Sequence, residues 1–132
     1  MELNDALAQR CKKVKLLLMD CDGVLTDGRL YFSAAGEELK VFDVKDGQGL
    51  AVWHQAGGVS GIISGRGAAA ILRSRADEIG IRYVYANSSD KVADFHDIIA
   101  DAGVDSDEVV FIGDDIGDIQ LMKIVGLPVA VA

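Results

Sequence analysis

The segment KLLLMDCDG, residues 15–23, places an apolar run directly before two carboxylates. The run Lys15–Met19 has the length of a strand and stops at Asp20, so it predicts a strand that is buried on both faces. Ligands of open α/β sheets bind beyond the carboxyl ends of the strands, which is where Asp20 and Asp22 stand. Two carboxylates so close together raise each other's pKa unless a cation lies between them. An acid pair can also simply form a turn, but this position favours a site for a hard divalent cation such as Mg2+.

Further apolar runs of strand length recur along the chain and alternate with stretches of helical period. The runs are Val59–Ile63, Arg82–Tyr85, Val109–Ile112 and Leu127–Val131. The helical stretches are Gln48–Ala56, Ala68–Ile79, Lys91–Ala102 and Ile116–Val125. Asp90, Gly103 and Gly126 are suitable cap residues for two of these helices. Strands that alternate with helices predict the α/β class, with a single three-layer Rossmann-like parallel sheet.

One stretch, Gly28–Asp43, interrupts this alternation directly after the first strand. It holds two short strand-like runs, Arg29–Phe32 and Glu38–Phe42, on either side of the turn sequence SAAG. This pattern predicts an inserted β-hairpin. The hairpin is either an ordinary edge ribbon or a flap over the site.

The length and charge of the chain limit its architecture and its partners. Its 132 residues, half of them hydrophobic, suit one domain with one core and leave no room for a cap domain. The net charge of −8 argues against nucleic-acid and anionic-membrane binding, because both require a basic surface. No apolar run approaches the roughly 20 residues of a membrane span. The N-terminal residues 1–13 lack the apolar core of a signal peptide, and the two cysteines are too few for a disulfide framework, so we expect a cytoplasmic protein.

A second acidic cluster, GDDIGD, follows the predicted strand Val109–Ile112. Asp114 stands closest to the end of the strand and is the natural metal ligand of this cluster. Asp118 comes four residues later and is expected on the same side of the following helix. Asp115 is either part of the acidic site or the N-cap of that helix.

A hydroxyl and an ammonium group complete the set of polar residues at the ends of the predicted strands. Ser64 is followed by Gly65 and precedes a helix, where a hydroxyl and free backbone N–H groups can hold an anion. Lys91 begins the helix after the third strand of the predicted sheet. Alone, each would be read as a loop or surface residue. Opposite a metal–carboxylate cluster, Lys91 would instead neutralise a phosphoryl oxygen or hold Asp118 in place.

The motifs DCDGVLTDG at 20–28, SGR at 64–66, a lysine at the start of a later helix and GDDIGD at 113–118 occur in this order. Together they resemble the haloacid dehalogenase superfamily of aspartyl phosphatases. A closer resemblance, over nearly the whole chain, is to its capless sugar-acid phosphatases, which act on substrates such as 3-deoxy-D-manno-octulosonate 8-phosphate. The resemblance implies a Mg2+-dependent phosphomonoester hydrolase with a small sugar-phosphate substrate and a place in lipopolysaccharide biosynthesis.

The resemblance also implies a role for each residue at the ends of the strands. Asp20 would be the nucleophile that forms an aspartyl-phosphate, and Asp22 the general acid and then the general base. Mg2+ would be held by the carboxylates of Asp20 and Asp114 and by the backbone carbonyl of Asp22. Ser64 and Lys91 would bind the oxygens of the transferred phosphoryl group.

Asp118 and a set of substrate contacts complete what the resemblance implies. Asp118 would position Lys91 or support the metal ligands. Besides Asp22 and Lys91, the implied substrate-binding residues are Asp43, Val44, Lys45, Asp46, Gly47, Arg66 and Arg75, the last after a shift of one residue. Ala51 stands where relatives often have a basic residue, a difference that bears on the recognition of the sugar acid's carboxylate rather than on the type of reaction.

Relatives of this type usually continue with a helix and a Gly-rich, Arg-containing tail that reaches the active site of a neighbouring subunit. The sequence here stops at Ala132, so we expect either a shortened chain or a site that closes without the tail. The capless architecture implies a homotetramer in which the hairpin and neighbouring protomers select the substrate.

Two other functions are compatible with parts of the pattern. A receiver-like signalling domain also uses Mg2+, an acceptor Asp, a hydroxyl and a Lys, but it has adjacent acids after the first strand and an acceptor after the third, where this chain has Ala86. A catalytically silent assembly domain is the other alternative, and the five polar residues Asp20, Asp22, Ser64, Lys91 and Asp114 argue against it.

Overall fold

The structure is a computed structural model that describes residues 4–132. Residues 1–3, the beginning of the N-terminal stretch considered above, lie outside the described residues. The elements, in chain order, are α1 (Asp5–Lys13), β1 (Leu16–Met19), β2 (Tyr31–Ser33), β3 (Gly36–Leu39), α2 (Val44–Gln55), β4 (Val59–Ile63), α3 (Ala69–Ile79), β5 (Tyr83–Tyr85), α4 (Lys91–Ala102), β6 (Val109–Gly113), α5 (Ile119–Met122) and β7 (Leu127–Ala130). Short 3-10 turns, Ser106–Glu108 and Ile116–Asp118, precede β6 and α5.

Five strands form a parallel sheet in the order β5-β4-β1-β6-β7, with β1 at its centre. Leu16 of β1 pairs with Val59 of β4 on one side and with Val109 of β6 on the other. The strands β2 and β3 form a separate antiparallel hairpin. The predicted α/β class, the parallel sheet and the inserted hairpin are therefore confirmed, and residues 4–132 contain no cap domain.

Helices cover both faces of the sheet and give the three predicted layers. Leu16 and Leu18 of β1 pack with Phe95 of α4 and Leu121 of α5 in one buried cluster. On the opposite face, Met19 belongs to a second cluster whose other buried members include Leu50 of α2 and Leu72 of α3. Alternate residues of the central strand thus enter different cores. The edge strands β5 and β7 are only partly buried, so burial on both faces holds for the three central strands alone.

Helix α2 begins four residues before the predicted start at Gln48. Asp43 is its N-cap, and its carboxylate accepts a hydrogen bond from the Lys45 N–H at 2.7 Å. Gly47 and Gly49 weaken the helical pattern in the sequence. Gly47 packs closely against Arg75, because a Cβ at this position would lie 2.8 Å from Arg75 Nη2.

Two other predicted boundaries are wrong. The predicted helix Ile116–Val125 is a 3-10 turn followed by the four-residue α5, because the Asp118 carboxylate turns inward and binds backbone N–H groups of the preceding loop. Gly126 therefore does not cap it directly. In the hairpin, the second strand is β3 and not Glu38–Phe42, because Gly36 adopts a φ of +107° and turns the chain two residues earlier.

The N-terminal helix α1 has no counterpart among the predicted elements. Asn4 is its N-cap and accepts a hydrogen bond from the Leu7 N–H at 2.8 Å. The helix has no buried residue, and Arg10 donates to the carbonyl of Gly126, which connects the helix to the start of β7. Among the described residues, no helix has the length and apolar character needed to cross a membrane.

Candidate active site

The strands β1, β4 and β6 are neighbours in the sheet and run in the same direction, so the residues that follow them meet at one edge. A cavity of about 400 Å³ lies at this edge. Seven of the predicted site residues line it, namely Asp20, Asp22, Ser64, Arg66, Lys91, Asp114 and Asp115. The structure therefore brings together the predicted catalytic residues from four separate segments of the chain.

Asp20 is a buried carboxylate, with 7% of its surface exposed. Its Oδ1 accepts a hydrogen bond from the Cys21 N–H at 2.7 Å and lies 3.4 Å from Lys91 Nζ. Burial raises the pKa of Asp20 to about 6, although Lys91 and the Cys21 N–H act to lower it. The negative charges of Asp118 and Asp114 add to the rise. A cation at this position would therefore favour the ionised form of Asp20.

Lys91 and Asp118 form a closely bound ion pair beneath the cavity. Asp118 is fully buried, and its Oδ1 lies 2.7 Å from Lys91 Nζ. Its Oδ2 accepts hydrogen bonds from the N–H groups of Asp114 and Asp115 at 3.2 and 3.3 Å. Burial acts to lower the pKa of Lys91, but the hydrogen bond to Asp118 and the charge of Asp20 outweigh it and raise that pKa. The ammonium of Lys91 is thus held charged at the edge of the cavity.

Three carboxylates lie close enough to share one metal ion. Asp20, Asp114 and Asp118 each offer an oxygen within 4.8 Å of the other two. Because both oxygens of Asp118 are already engaged by Lys91 and by backbone N–H groups, Asp20 and Asp114 are the more available ligands. Gly23 permits this arrangement, since a Cβ there would lie 1.8 Å from Asp114 Oδ2. The donors are all hard oxygens, so the residues present fit Mg2+.

Asp22 faces the cavity from a different direction. Its Oδ1 accepts a hydrogen bond from Lys40 Nζ at 2.8 Å, and its Oδ2 lies 3.7 Å from Arg66 Nε. Oδ2 is buried and has no hydrogen-bond partner in the described part of the chain. The ammonium group of Lys40 is also held by Glu37, at 3.0 and 3.2 Å. These two residues belong to the hairpin and the segment directly after it.

Ser64 is buried directly after β4, and hydrogen bonds of its backbone hold it in place. Its N–H donates to the Tyr85 carbonyl at 2.8 Å, and its carbonyl accepts from the Ser88 N–H at 2.9 Å. Its Oγ accepts a hydrogen bond from the Arg66 N–H at 3.3 Å. The chain around the ends of β4 and β5 therefore positions the hydroxyl at the cavity.

The remaining predicted substrate contacts lie elsewhere on the chain. Asp43 and Asp46 border a separate cavity of about 380 Å³, and Val44 is 81% exposed. Arg75 lies with this segment, because its Nη2 is 3.4 Å from the Asp43 carbonyl and its guanidinium stacks over Phe42. Gly47 is buried against Arg75, and Lys45 is exposed. None of these residues lines the cavity of Asp20.

Comparisons with known proteins identify the group to which this arrangement belongs. Residues 68–132 match the family model of haloacid dehalogenase-like hydrolases. The chain is 41% identical over 128 residues to the 3-deoxy-D-manno-octulosonate 8-phosphate phosphatase of Yersinia pestis. The aligned residues make up 97% of this chain and 68% of that protein. The chain belongs to this phosphatase family. The enzyme of the same name from Escherichia coli K12 is 37% identical over 123 residues, 93% of this chain and 65% of its own length. The chain thus spans about two thirds of these curated relatives.

Solved structures of the octulosonate phosphatase family have the same fold. The crystal structure of the Yersinia pestis enzyme superposes with a TM-score of 0.93 at 40% identity, over 98% of this chain and 70% of that one. The enzyme from Moraxella catarrhalis, solved with a magnesium ion, a phosphate ion and a KDO molecule, gives a TM-score of 0.90 at 32% identity over 97% of this chain and 73% of that one. The predicted family, fold and phosphatase class are confirmed.

Sequence reasoning assigned no role to Lys40 or Glu37. Their segment, GEELK, lies within the motifs that resemble the octulosonate phosphatase family, but a single lysine in a hairpin has no spacing that marks it as functional. The one available signal was position, because a hairpin inserted after β1 emerges next to Asp22. Asp115 lines the cavity and is also the N-cap of the 3-10 turn, where it accepts a hydrogen bond from the Ile116 N–H at 2.6 Å.

Proposed function

We propose that the chain is a Mg2+-dependent phosphatase that hydrolyses a small sugar-acid phosphate, with 3-deoxy-D-manno-octulosonate 8-phosphate as the first choice, through an aspartyl-phosphate. The observation that carries this proposal is the arrangement of Asp20, Asp22, Ser64, Lys91 and Asp114 around one cavity. A nucleophile, an acid–base group, two phosphate-binding groups and a metal ligand are the parts that phosphoryl transfer requires.

In the first step, Asp20 attacks the phosphorus atom and the bond between phosphorus and the sugar oxygen breaks. Both contacts to its carboxylate, from the Cys21 N–H and Lys91, go to Oδ1, so Oδ2 is the oxygen available for attack. Asp22 gives its proton to the departing sugar oxygen. In the second step, Asp22 takes a proton from a water molecule, the water oxygen bonds to phosphorus, and the bond to Asp20 breaks to release inorganic phosphate.

The carboxylates of Asp20 and Asp114 and the backbone carbonyl of Asp22 would hold Mg2+, which when bound offsets the repulsion between the anionic nucleophile and the anionic phosphate. The proximity of the two carboxylates and the raised pKa of Asp20 support this assignment. A relative from Moraxella catarrhalis was solved with a magnesium ion.

Ser64 and Lys91 bind the oxygens of the transferred phosphoryl group, where negative charge must be stabilised. Both side chains line the cavity, and the Lys91 ammonium is already oriented by Asp118 Oδ1 at 2.7 Å. Asp118 therefore acts through Lys91 and not on the substrate. Its full burial and the engagement of both its oxygens by Lys91 and backbone N–H groups support this role.

The sugar part of the substrate would extend past Arg66, which lines the cavity and is 43% exposed. Asp43, Val44, Lys45 and Asp46 lie on a separate part of the surface, with Arg75 and the buried Gly47 beside them, and we propose that this segment serves substrate bound at an adjacent protomer.

We propose a homotetramer as the assembled state. The hairpin and the segment after it expose several large apolar side chains, including Phe32 at 62% and Val41 at 53%, which an interface would remove from water. The expected result of sedimentation velocity at micromolar concentration is a tetramer of this chain. A monomer alone under these conditions would overturn the proposal.

The experiment that tests the function is phosphate release from a panel of sugar phosphates, with Mg2+ and with a chelator. We expect Mg2+-dependent release, fastest with the octulosonate ester. Asp22→Asn should slow both formation and breakdown of the phospho-enzyme, so a normal rate in that variant would remove its acid–base role. The absence of release from every substrate would favour the silent assembly domain. Accumulation of a stable phospho-protein without turnover would favour the receiver-like domain, which Ala86 after β5 argues against.

A further inference from the structure

Lys40 and Glu37 form a buried ion pair that connects the hairpin to the catalytic loop. The side chain of Lys40 is 1% exposed and that of Glu37 is 7% exposed, unlike most lysines and glutamates. The three hydrogen bonds of the Lys40 ammonium go to Asp22 Oδ1 at 2.8 Å and to the two oxygens of Glu37 at 3.0 and 3.2 Å. Glu37 of β3 therefore holds the Lys40 ammonium against Asp22.

The two oxygens of Asp22 have different surroundings as a result. Oδ1 is occupied by Lys40, whereas Oδ2 is buried and accepts no hydrogen bond from the described residues. The closest approach of Arg66 to Oδ2 is the ion-pair contact of its Nε at 3.7 Å, beyond hydrogen-bond distance, and Arg66 is far more exposed than Lys40. Buried polar atoms are usually satisfied, so the unpartnered Oδ2 of Asp22, a residue that lines the cavity, is the oxygen that is free to take a new partner.

We propose that Lys40 is a positioning residue for Asp22. It holds the carboxylate by Oδ1, so that Oδ2 is the oxygen that gives its proton to the leaving sugar oxygen and later takes one from water. The inference rests on the proposed function, because it assigns the oxygen through which Asp22 acts. Lys40 touches neither the phosphoryl group nor the sugar in this arrangement, and the hairpin is thereby part of the catalytic apparatus.

The chemistry of the leaving group separates this role from a merely structural one. Departure of a sugar alkoxide requires a proton from a general acid, whereas p-nitrophenolate departs without one. Loss of Lys40 should therefore slow the first step for a sugar phosphate and leave the first turnover of p-nitrophenyl phosphate nearly unchanged. A variant that only disturbs the fold would slow both substrates equally.

The test compares Lys40→Met, Lys40→Arg and the wild-type chain by rapid-quench kinetics with Mg2+. For Lys40→Met we expect the sugar-phosphate kcat to fall by about 100-fold with little change in KM, and the first-turnover release of p-nitrophenolate to fall less than about threefold. Lys40→Arg retains a cation for Oδ1 and should recover part of the loss. Lys15→Met is the control, because it removes an exposed lysine that pairs with Glu108 where β1 and β6 begin, at the ends of these strands opposite the cavity.

Two outcomes would overturn the proposal while the proposed function stands. One is an equal loss, or no loss, with both substrates in Lys40→Met. The other is a crystal structure of Lys40→Met in which the Asp22 carboxylate keeps its orientation. If the wild-type chain itself releases phosphate from neither substrate, the proposed function fails and the inference fails with it.

Discussion

At the scale of single residues, glycine sets how closely the acids of the site approach one another. Gly23 has a φ of +83°, and a Cβ there would overlap Asp114 Oδ2 at 1.8 Å. Gly113 has the same relation to Asp118, since its Cβ would lie 2.6 Å from Oδ2. The glycines of the DCDG and GDDIGD motifs are therefore required by packing as well as by turn geometry.

We expect Gly23→Ala to displace Asp114 and to weaken Mg2+ binding by about tenfold or more. Gly36→Ala is the control, because Gly36 also has a positive φ, of +107°, and an added Cβ there would meet nothing within 4 Å. Both variants should lose about 1 kcal/mol of stability through backbone strain, but only Gly23→Ala should lose metal affinity. Titration calorimetry with Mg2+ measures the difference, and equal affinities would show that Asp114 is not a ligand.

The buried Asp20 makes stability without metal depend on pH. Its pKa is 3.8 in the unfolded chain and about 6 in the folded protein, so the folded protein binds this proton more tightly. Protonated Asp20 therefore stabilises the folded protein fully below the unfolded-state pKa of 3.8. This stabilisation, up to about 3 kcal/mol, is lost as the pH rises through the folded-state pKa of about 6. We therefore expect the free energy of unfolding of the wild type, relative to Asp20→Asn, to fall between about pH 4 and pH 7 in a chelator.

Urea denaturation of both proteins at the two pH values measures this change. The comparison with Asp20→Asn removes the contribution of the other carboxylates. Addition of Mg2+ should restore most of the loss, because the cation binds the ionised form. A difference between the two proteins that does not vary with pH would contradict the burial of Asp20.

The carboxylates of the site could be predicted from the sequence because each follows an apolar strand, and strand ends converge in a parallel sheet. The role of Lys40 could not be predicted from the sequence, because Lys40 is 18 residues from Asp22 and its contact depends on the path of the hairpin between them. The location of Arg75 could not be predicted either, since its contact with the Asp43 carbonyl depends on how α2 and α3 pack.

At the scale of elements, the start of α4 places Lys91, the lysine that we propose binds phosphate. Asp90 caps this helix by accepting a hydrogen bond from the Ala93 N–H at 3.0 Å, and Lys91 is its first residue. The predicted bounds of α4 and its caps Asp90 and Gly103 are confirmed, because a strong apolar period lies between clear cap residues. The predicted bounds of α2 and α5 were wrong. In α2, glycines weaken the helical pattern, and before α5, the Asp118 carboxylate turns inward and binds the backbone.

We expect Asp90→Ala to lower stability by about 1 kcal/mol and also to lower the rate of phosphate release, because fraying at this end moves Lys91. Asn4→Ala is the matched control, since Asn4 caps α1 in the same way and lies far from the site in sequence. It should cost similar stability without affecting the rate. Thermal unfolding and steady-state kinetics measure the two effects, and an equal loss of rate in both variants would contradict a link between the cap and Lys91.

At the scale of the whole molecule, the order of the strands brings the residues of the site together. The central position of β1, between β4 and β6, brings the carboxylates of two distant motifs next to the hydroxyl of a third. The alternation of short apolar runs with helical stretches predicted a parallel sheet, but it did not predict the order of the strands. The pattern could not predict that β5 and β7 are half-buried, since it does not show which strands lie at the edges.

The measurement that tests the central claim most directly is mass spectrometry of the chain after rapid acid quench with Mg2+ and its best sugar phosphate. We expect one phosphoryl group on the peptide that contains Asp20, formed and lost within the catalytic cycle. Asp20→Asn should carry no phosphoryl group and should release no phosphate. Phosphate release that persists in Asp20→Asn, or a phosphoryl group on a different residue during turnover, would contradict the proposed mechanism.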